Sequence, residues 1–245
     1  MKKSKIEWTE TTWNPITGCT KISDGCKNCY AETMTKRLQA MGLDKYKNGF
    51  DKITFHKQVL NEPLKWKKPC NIFVCSMSDL FHEDIPYDII SEIVYVMEKT
   101  PQHTYQILTK RPERMRFFSY YVRSIPENVW VGVSVENKKA TERMQELKRI
   151  IAPVRFLSCE PLLEDLGKLD LNLIDWVIVG GESGANARPM REDWVLSIKE
   201  QCEAEGVAFF FKQWGTWGSD GVKRNKQTNG NLLQGKVYQE MPKAK

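Results

Sequence analysis

Three cysteines lie within eleven residues near the start of the chain: Cys19, Cys26 and Cys29. Cys26 and Cys29 have the C-x-x-C spacing that lets two thiolates bind one metal ion or cluster. Cys19 lies across a short stretch, residues 23–25, whose serine, aspartate and glycine allow its sulfur to reach the same place. The spacing therefore predicts a metal centre or a redox site.

The residue types leave several chemistries open. A structural zinc site needs a fourth ligand, and none of the three histidines lies at finger-like spacing. A thiol redox pair would use Cys26 and Cys29 and would leave Cys19 without a role. Three thiolates could also hold an iron–sulfur cube and leave one iron open for a substrate or cofactor. Simple apolar packing fits poorly because glycine, lysine and asparagine flank the cysteines, so cluster and zinc stay as the two leading alternatives.

The composition of the chain indicates the class of protein and the cell compartment in which this cysteine centre is expected. The chain has 245 residues, of which 41% are hydrophobic and 28% are charged, a balance typical of globular domains. No apolar run approaches the roughly 20 residues that a membrane-spanning helix needs, and the basic start lacks the apolar stretch of a secretory signal. A cytoplasmic location with no membrane partner is expected, and there the seven cysteines would stay reduced.

The net charge of +6 is concentrated at the two ends of the chain. Residues 1–68 contain 14 Lys and Arg against 7 Asp and Glu, and residues 220–245 contain 6 against 2. This distribution fits a polyanionic partner such as a nucleic acid, and it fits solvated surface lysines equally well.

Short apolar runs alternate with amphipathic stretches along most of the chain, which indicates strands and helices in alternation. Strands are predicted at 71–76, 104–109, 129–135, 154–159, 176–181 and 208–214, with a weaker one at 11–17. Apolar residues at steps of three and four predict helices at 31–41, 89–97, 115–122, 140–151 and 194–202. Near-continuous apolar strands separated by helices are typical of a parallel sheet covered by helices.

Polar or charged residues follow almost every predicted strand, and this favours a barrel over an open doubly wound sheet, since all strand ends of a barrel converge on one mouth. We expect an α/β fold, a parallel, partial (β/α) barrel with six to seven units. One domain is predicted over residues 1–245, with a basic insertion at 43–70 and a basic, flexible tail at 218–245. The strand-end residues singled out as pocket candidates are Lys110, Ser134, Glu136, Glu160 and Glu182.

Several strand-end residues have a structural interpretation beside the functional one. Ser78 and Asp79 suit ribose or substrate hydrogen bonds, and equally the capping of a turn. Lys110 and Arg111 suit an anion, or pairing with Glu136 or Glu160 of a neighbouring strand. Cys75 is a candidate hydrogen-atom donor, as is Cys159, although buried packing is the commoner use of cysteine at such positions.

Eight segments together resemble a small phage and bacterial protein family of unknown function, which is grouped with the radical S-adenosylmethionine barrels. The segments are "WNPITGCTKISDGCKNCYAE", "SMSDLFHE", "LTKRPERM", "NVWVGVSVEN", "FLSCEPLL", "WVIVGGESG", "ARPM" and "FFKQWG". They run from about Trp8 to Trp217, nearly the whole chain. In radical S-adenosylmethionine enzymes, a three-cysteine loop lies between the first strand and the first helix of a partial (β/α) barrel.

The resemblance implies a [4Fe–4S] cluster on Cys19, Cys26 and Cys29, with S-adenosylmethionine bound at the open iron. It implies a radical enzyme that needs an electron donor and modifies an unknown substrate. Charge and the phage association favour a nucleic acid or nucleotide as that substrate. The Gly-Gly-Glu of that enzyme class corresponds in type to Gly180, Gly181 and Glu182, which would hold the methionyl amine. The alternative is a non-catalytic zinc or iron–sulfur module that binds nucleic acid.

Overall fold

The computed structural model describes residues 3–122 and 124–243 and contains nine strands and seven α-helices in those ranges. The strands are β1 Thr11–Trp13, β2 Ile16–Thr17, β3 Thr54–Phe55, β4 Asn71–Val74, β5 Thr104–Thr109, β6 Val129–Ser134, β7 Arg155–Cys159, β8 Trp176–Gly180 and β9 Ala208–Gln213. Six of the seven predicted strands are present within a few residues of their expected bounds. The weaker one, predicted at 11–17, is divided into β1 and β2, which belong to different sheets. Every residue of β6 and β8 is buried, which explains why these two strands are continuous apolar runs in the sequence.

The helices are α1 Tyr30–Ala40, α2 Lys57–Leu60, α3 Tyr87–Glu98, α4 Pro112–Tyr121, α5 Arg143–Lys148, α6 Glu192–Glu205 and α7 Lys226–Asn229. The five predicted helices are present. Four apolar residues placed on their stripes lie outside the α-helices: Met41, Val122, Ala140 and Ile151. Met41 is 64% exposed and Ile151 is 87% exposed. Periodicity marks the buried face of a helix, but it does not show where the last turn ends.

The strands of the main sheet follow one another in chain order, β1-β4-β5-β6-β7-β8-β9. The pairings described between them are parallel: for example, Ile72 of β4 lies beside Tyr105 of β5, and Phe156 of β7 beside Trp176 of β8. This order has no reversal, as in a (β/α) barrel and unlike a doubly wound sheet. In the described chain, β1 and β9 are not neighbours in the sheet, so the predicted parallel, partial-barrel fold of six to seven units is confirmed.

The contacts divide the chain into two compact units, and the predicted single-domain organisation stays a prediction. Unit 1 comprises the chain up to Ile22, then Cys29–Val131 and Arg149–Pro153. Unit 2 comprises Ser23–Asn28, Gly132–Lys148 and the chain from Val154 onward. The cysteine loop, residues 18–29, thus contributes its two ends to unit 1 and its middle to unit 2.

Unit 1 contains α3, α4, β4 and β5, and its insertion at 43–70 contains β3. β3 pairs antiparallel with β2, with Thr17 opposite Thr54. The indole of Trp13 donates a hydrogen bond to the carbonyl of Val59, which fixes the insertion to β1. A basic and polar segment is therefore held by a short ladder and one buried indole.

Unit 2 packs around β7, β8 and β9, whose apolar side chains are almost wholly buried. Gly206 ends α6 in the left-handed conformation, as expected of a glycine after a helix. The tail lies along β9: Phe211 donates a backbone hydrogen bond to Tyr238, and the Trp176 indole donates to the carbonyl of Glu240. The flexibility predicted for residues 218–245 stays a prediction. No helix in the described ranges is long and apolar enough to cross a bilayer.

Candidate functional site

The seven cysteines fall into two classes by exposure. Cys19, Cys26 and Cys29 are half-buried, whereas the other four are buried. Burial raises the pKa of Cys70, raises those of Cys75 and Cys202 to about 12, and raises that of Cys159 well above its ordinary value. Thiols with such pKa values stay protonated and are poor nucleophiles and metal ligands at neutral pH. The three clustered cysteines are therefore the accessible thiols of the described chain.

In unit 1, Cys19 and Cys29 pack against the same apolar cluster, formed by Ala31, Tyr46, Phe50 and Met77. The Cys19 amide donates to the Phe50 carbonyl at 2.8 Å, and Cys29 immediately precedes α1. The fold therefore packs the first and third cysteines against one group of apolar side chains, two of which, Tyr46 and Phe50, belong to the insertion.

Gly18 makes the sharp turn that leads into Cys19. Its φ is +94°, and the Lys52 carbonyl occupies the place of an added Cβ. The Gly18 amide donates to Met77, and the Gly18 carbonyl accepts from the Ser78 hydroxyl. Only glycine meets both the left-handed φ and the close backbone approach.

A buried ionic network lies beside Cys19. The Arg111 side chain is 5% exposed and contacts Asp79 at 3.2 Å and Glu83 at 2.8 Å. Its Nη1 lies 3.8 Å from the Cys19 Sγ, and its Nη2 donates to the Thr20 hydroxyl at 3.0 Å. Burial opposes the charged guanidinium, but Glu83, Asp79 and Cys19 raise the pKa of Arg111, so a permanent positive charge lies next to the sulfur.

Asp79 and His82 complete this network. Asp79 accepts hydrogen bonds from the Thr109 hydroxyl and from the Phe81 and Lys110 amides, so the capping role expected for it is present. His82 Nδ1 accepts from the Asp84 amide, which leaves Nε2 as the donor to the Thr20 hydroxyl at 2.8 Å.

Arg111 therefore pairs with carboxylates of its own unit. Glu136 and Glu160, the partners considered for it from sequence, have other cations. Lys110, a predicted cofactor-binding residue, is half-buried and directly follows β5. Its backbone amide donates a hydrogen bond to the Asp79 carboxylate.

In unit 2, Cys26 ends a 3₁₀ turn, Asp24–Cys26, with the Ser23 hydroxyl 3.6 Å from its sulfur. The Asn28 amide donates to Glu182 Oε2 at 3.0 Å and to the Asn186 carbonyl at 2.9 Å. Arg188 donates to the Asp24 carbonyl at 3.0 Å. These contacts fix the middle of the cysteine loop to the segment that follows β8.

Predicted pocket residues also lie at strand ends of unit 2. Glu136 is fully buried and pairs with Arg143 at 2.7 Å, while its side chain lies 3.1 Å from the place of an added Cβ on Gly25. The same guanidinium donates to the carbonyl of buried Ser134. Glu160 pairs with Lys212 at 2.8 Å, and both side chains are partly exposed.

Gly180 and Gly181 face groups of their own chain. An added Cβ on Gly180 would lie 2.6 Å from Glu160 Oε1, and the Trp214 carbonyl occupies the corresponding place at Gly181. The absent side chains therefore make room for a carboxylate and a backbone turn. Their contact with a cofactor stays a prediction.

Sequence reasoning missed Asn28, Arg143 and Arg188. Asn28 reaches Glu182 across 154 positions, so no local signal could have indicated it. Arg143 and Arg188 bond to glutamates only seven and six positions earlier in the chain, and this spacing was the signal that could have found them. Within residues 3–122 and 124–243, no group of three or more His, Cys, Asp or Glu side chains is arranged to hold a metal ion. Two clefts of unit 1, of about 340 and 510 Å³, are lined by none of the predicted site residues.

Comparison with known proteins gives a family without an assigned activity. The model of a family described as "Protein of unknown function (DUF5131)" matches residues 3–242. No curated protein matches the chain in sequence. A solved structure of spore photoproduct lyase complexed with dinucleoside spore photoproduct is similar at 10% identity and a TM-score of 0.46. The match covers 82% of this chain and 62% of that protein, so this chain spans less than two thirds of its length.

Proposed function

This chain belongs to the DUF5131 family of proteins of unknown function, and we propose that it is an iron–sulfur enzyme of the radical S-adenosylmethionine type. Cys19, Cys26 and Cys29 hold a [4Fe–4S] cluster in this proposal. The contrast among the cysteines carries it: three accessible thiols share one loop, while four are buried with raised pKa values.

The donor set fits such a cluster. Three thiolates from one short loop leave the fourth iron open, as a substrate-binding cluster requires. Arg111 supplies a buried positive charge 3.8 Å from the Cys19 sulfur, which favours a thiolate ligand there.

When bound, the cluster would supply the electron that cleaves S-adenosylmethionine to a 5′-deoxyadenosyl radical. Glu160 and Lys212 are our candidates for its zwitterionic end, because this carboxylate and ammonium lie 2.8 Å apart and are partly exposed. Glu160 would take the amine and Lys212 the carboxylate. Lys110, Ser134, Glu136, Gly180 and Gly181 remain predicted contributors to this pocket.

The proposed substrate is a nucleic acid or nucleotide. The basic ends of the chain favour a polyanion. In unit 2, the Lys223 ammonium lies 4.9 Å from the ring centre of Trp217, and a cation beside an aromatic ring is a usual element of single-strand binding. An electron donor is a required partner.

Cysteine substitutions test the assignment of ligands. We expect anaerobic reconstitution to load iron and sulfide into the wild type and into Cys70→Ala, a matched control whose thiol is buried and away from the loop. The reduced, loaded wild type should slowly release 5′-deoxyadenosine from added S-adenosylmethionine. Replacing Cys19, Cys26 or Cys29 by alanine should abolish both the loading and this release. Equal loading of all four variants would refute the ligand set.

A further inference from the structure

The middle of the cysteine loop is tied to one short segment of unit 2. Asn28 bonds to Glu182 and to the Asn186 carbonyl, and Arg188 bonds to the Asp24 carbonyl. These contacts flank Cys26 on both sides, at positions 24 and 28. The place of the Cys26 sulfur therefore depends on residues more than 150 positions further along the chain.

Glu182 is the centre of this arrangement. Its Oε2 accepts three hydrogen bonds, from the Asn28 amide at 3.0 Å, the Arg188 backbone amide at 2.8 Å and the Arg188 Nε at 2.9 Å. Its Oε1 accepts from Arg188 Nη2 at 2.6 Å. The residue is only 6% exposed, so the carboxylate is both buried and well supplied with donors.

The protonation state of Glu182 agrees with this geometry. Burial alone would raise its pKa, but the hydrogen bonds from Arg188 and Asn28 outweigh it and lower the pKa. Glu182 is therefore ionised at neutral pH, and its charge is matched by a guanidinium of the same unit. A methionyl ammonium would have to displace these donors from a buried carboxylate, which is costly.

We infer that Glu182 is a positioning residue, which with Arg188 and Asn28 holds the Cys26 segment of the loop in place, and that it does not bind the cofactor amine. We call residues 28, 182 and 188 the clamp. In the clamp, Glu182 has a different role from the binding of the methionyl amine that the Gly-Gly-Glu resemblance implies. The inference depends on the proposed function only for the statement that the loop carries an iron–sulfur cluster. The hydrogen bonds of the clamp are present in the metal-free protein.

Alkylation of the metal-free protein tests the clamp directly. The reactivity of each cysteine toward N-ethylmaleimide is measured under native conditions by peptide mass mapping. We expect Asn28→Ala and Glu182→Gln each to speed the modification of Cys26 by about tenfold, because each removes hydrogen bonds to a charged group; tenfold corresponds to about 1.4 kcal/mol. Cys70 should not change.

Two further variants separate positioning from general stability. Asp193→Asn breaks the exposed Arg191–Asp193 pair nearby and should leave Cys26 reactivity at the wild-type value. Asn28→Ala leaves the Glu182–Arg188 pair intact, so it decides the matter if Glu182→Gln fails to fold. Wild-type Cys26 reactivity in folded Asn28→Ala would overturn the inference.

A cluster readout distinguishes this inference from the proposed function. If the clamp acts as inferred, reconstituted Asn28→Ala should hold fewer irons than the wild type. If the wild type itself binds no cluster, the proposed function fails, while the difference in alkylation still supports the clamp.

Discussion

Replacing Arg111 by methionine removes the central cation of unit 1 while keeping much of its apolar volume. Asp79 would then keep a buried negative charge, since its side chain is 9% exposed. Breaking a buried ion pair from one side costs about 3–5 kcal/mol. The Thr109 hydroxyl and two backbone amides still stabilise the Asp79 carboxylate, so we expect a value near the lower limit, about 3 kcal/mol.

Glu83 adds little to this cost. Its side chain is 56% exposed, and water would solvate it once the guanidinium is gone. A double variant, Asp79→Asn with Arg111→Met, removes both buried charges and should be less destabilised than the sum of the single variants. The coupling free energy isolates the Asp79–Arg111 pair.

Urea unfolding followed by tryptophan fluorescence provides the free energies of unfolding. Arg224→Met is the matched control, because its partner Asp220 is exposed and the midpoint should not move. An Arg111→Met midpoint equal to that of the wild type, at an unchanged slope, would refute the argument that Arg111 compensates the buried charge of Asp79.

Three other outcomes are expected. Gly181→Ala should lower the free energy of unfolding by about 1–3 kcal/mol in the same urea assay, since the Trp214 carbonyl occupies the space of the new Cβ. Burial lowers the pKa of His56 and His82 below the ordinary 6.5, aided by Lys45 at the first and Arg111 at the second. The unfolded chain then binds the extra protons, so stability should be full above about pH 6.5 and decline below it, and replacing both histidines by glutamine should flatten that decline. Labelled single-stranded oligonucleotides should bind more weakly as salt rises, and an absence of binding at low salt would point to a small-molecule substrate.

The sheet could be predicted because its strands are short, continuous apolar runs that polar residues terminate. β6 and β8 are buried along their whole length, so every position of each strand obeys the same constraint. A cap such as that of Asn137 is equally local, because its side chain accepts from the Ala140 amide at 3.0 Å, only three residues further on. Helix ends were less certain, as exposed Ile151 shows, since α5 stops at Lys148.

The partners of charged residues could not be predicted, because pairing depends on three-dimensional proximity. Lys110 and Arg111 were correctly placed at a strand end, yet Arg111 pairs with Asp79 and Glu83. Glu182 was singled out for a cofactor, but its partners Asn28 and Arg188 come together only in the folded unit.

The glycines beside this strand end posed a different difficulty. Gly180 and Gly181 suggested room for a ligand, and nothing in the sequence indicated that Glu160 and Trp214 would fill it. The three cysteines were the strongest signal because their grouping is local, and their exposure sets them apart from the other four.

Electron paramagnetic resonance of the anaerobically reconstituted, reduced protein tests the central proposal most directly. Under this proposal we expect about four irons per chain and a cluster signal that changes when S-adenosylmethionine is added, since Cys19, Cys26 and Cys29 would leave one iron open. A colourless protein with one bound zinc, or a loaded cluster whose signal ignores S-adenosylmethionine, would contradict it.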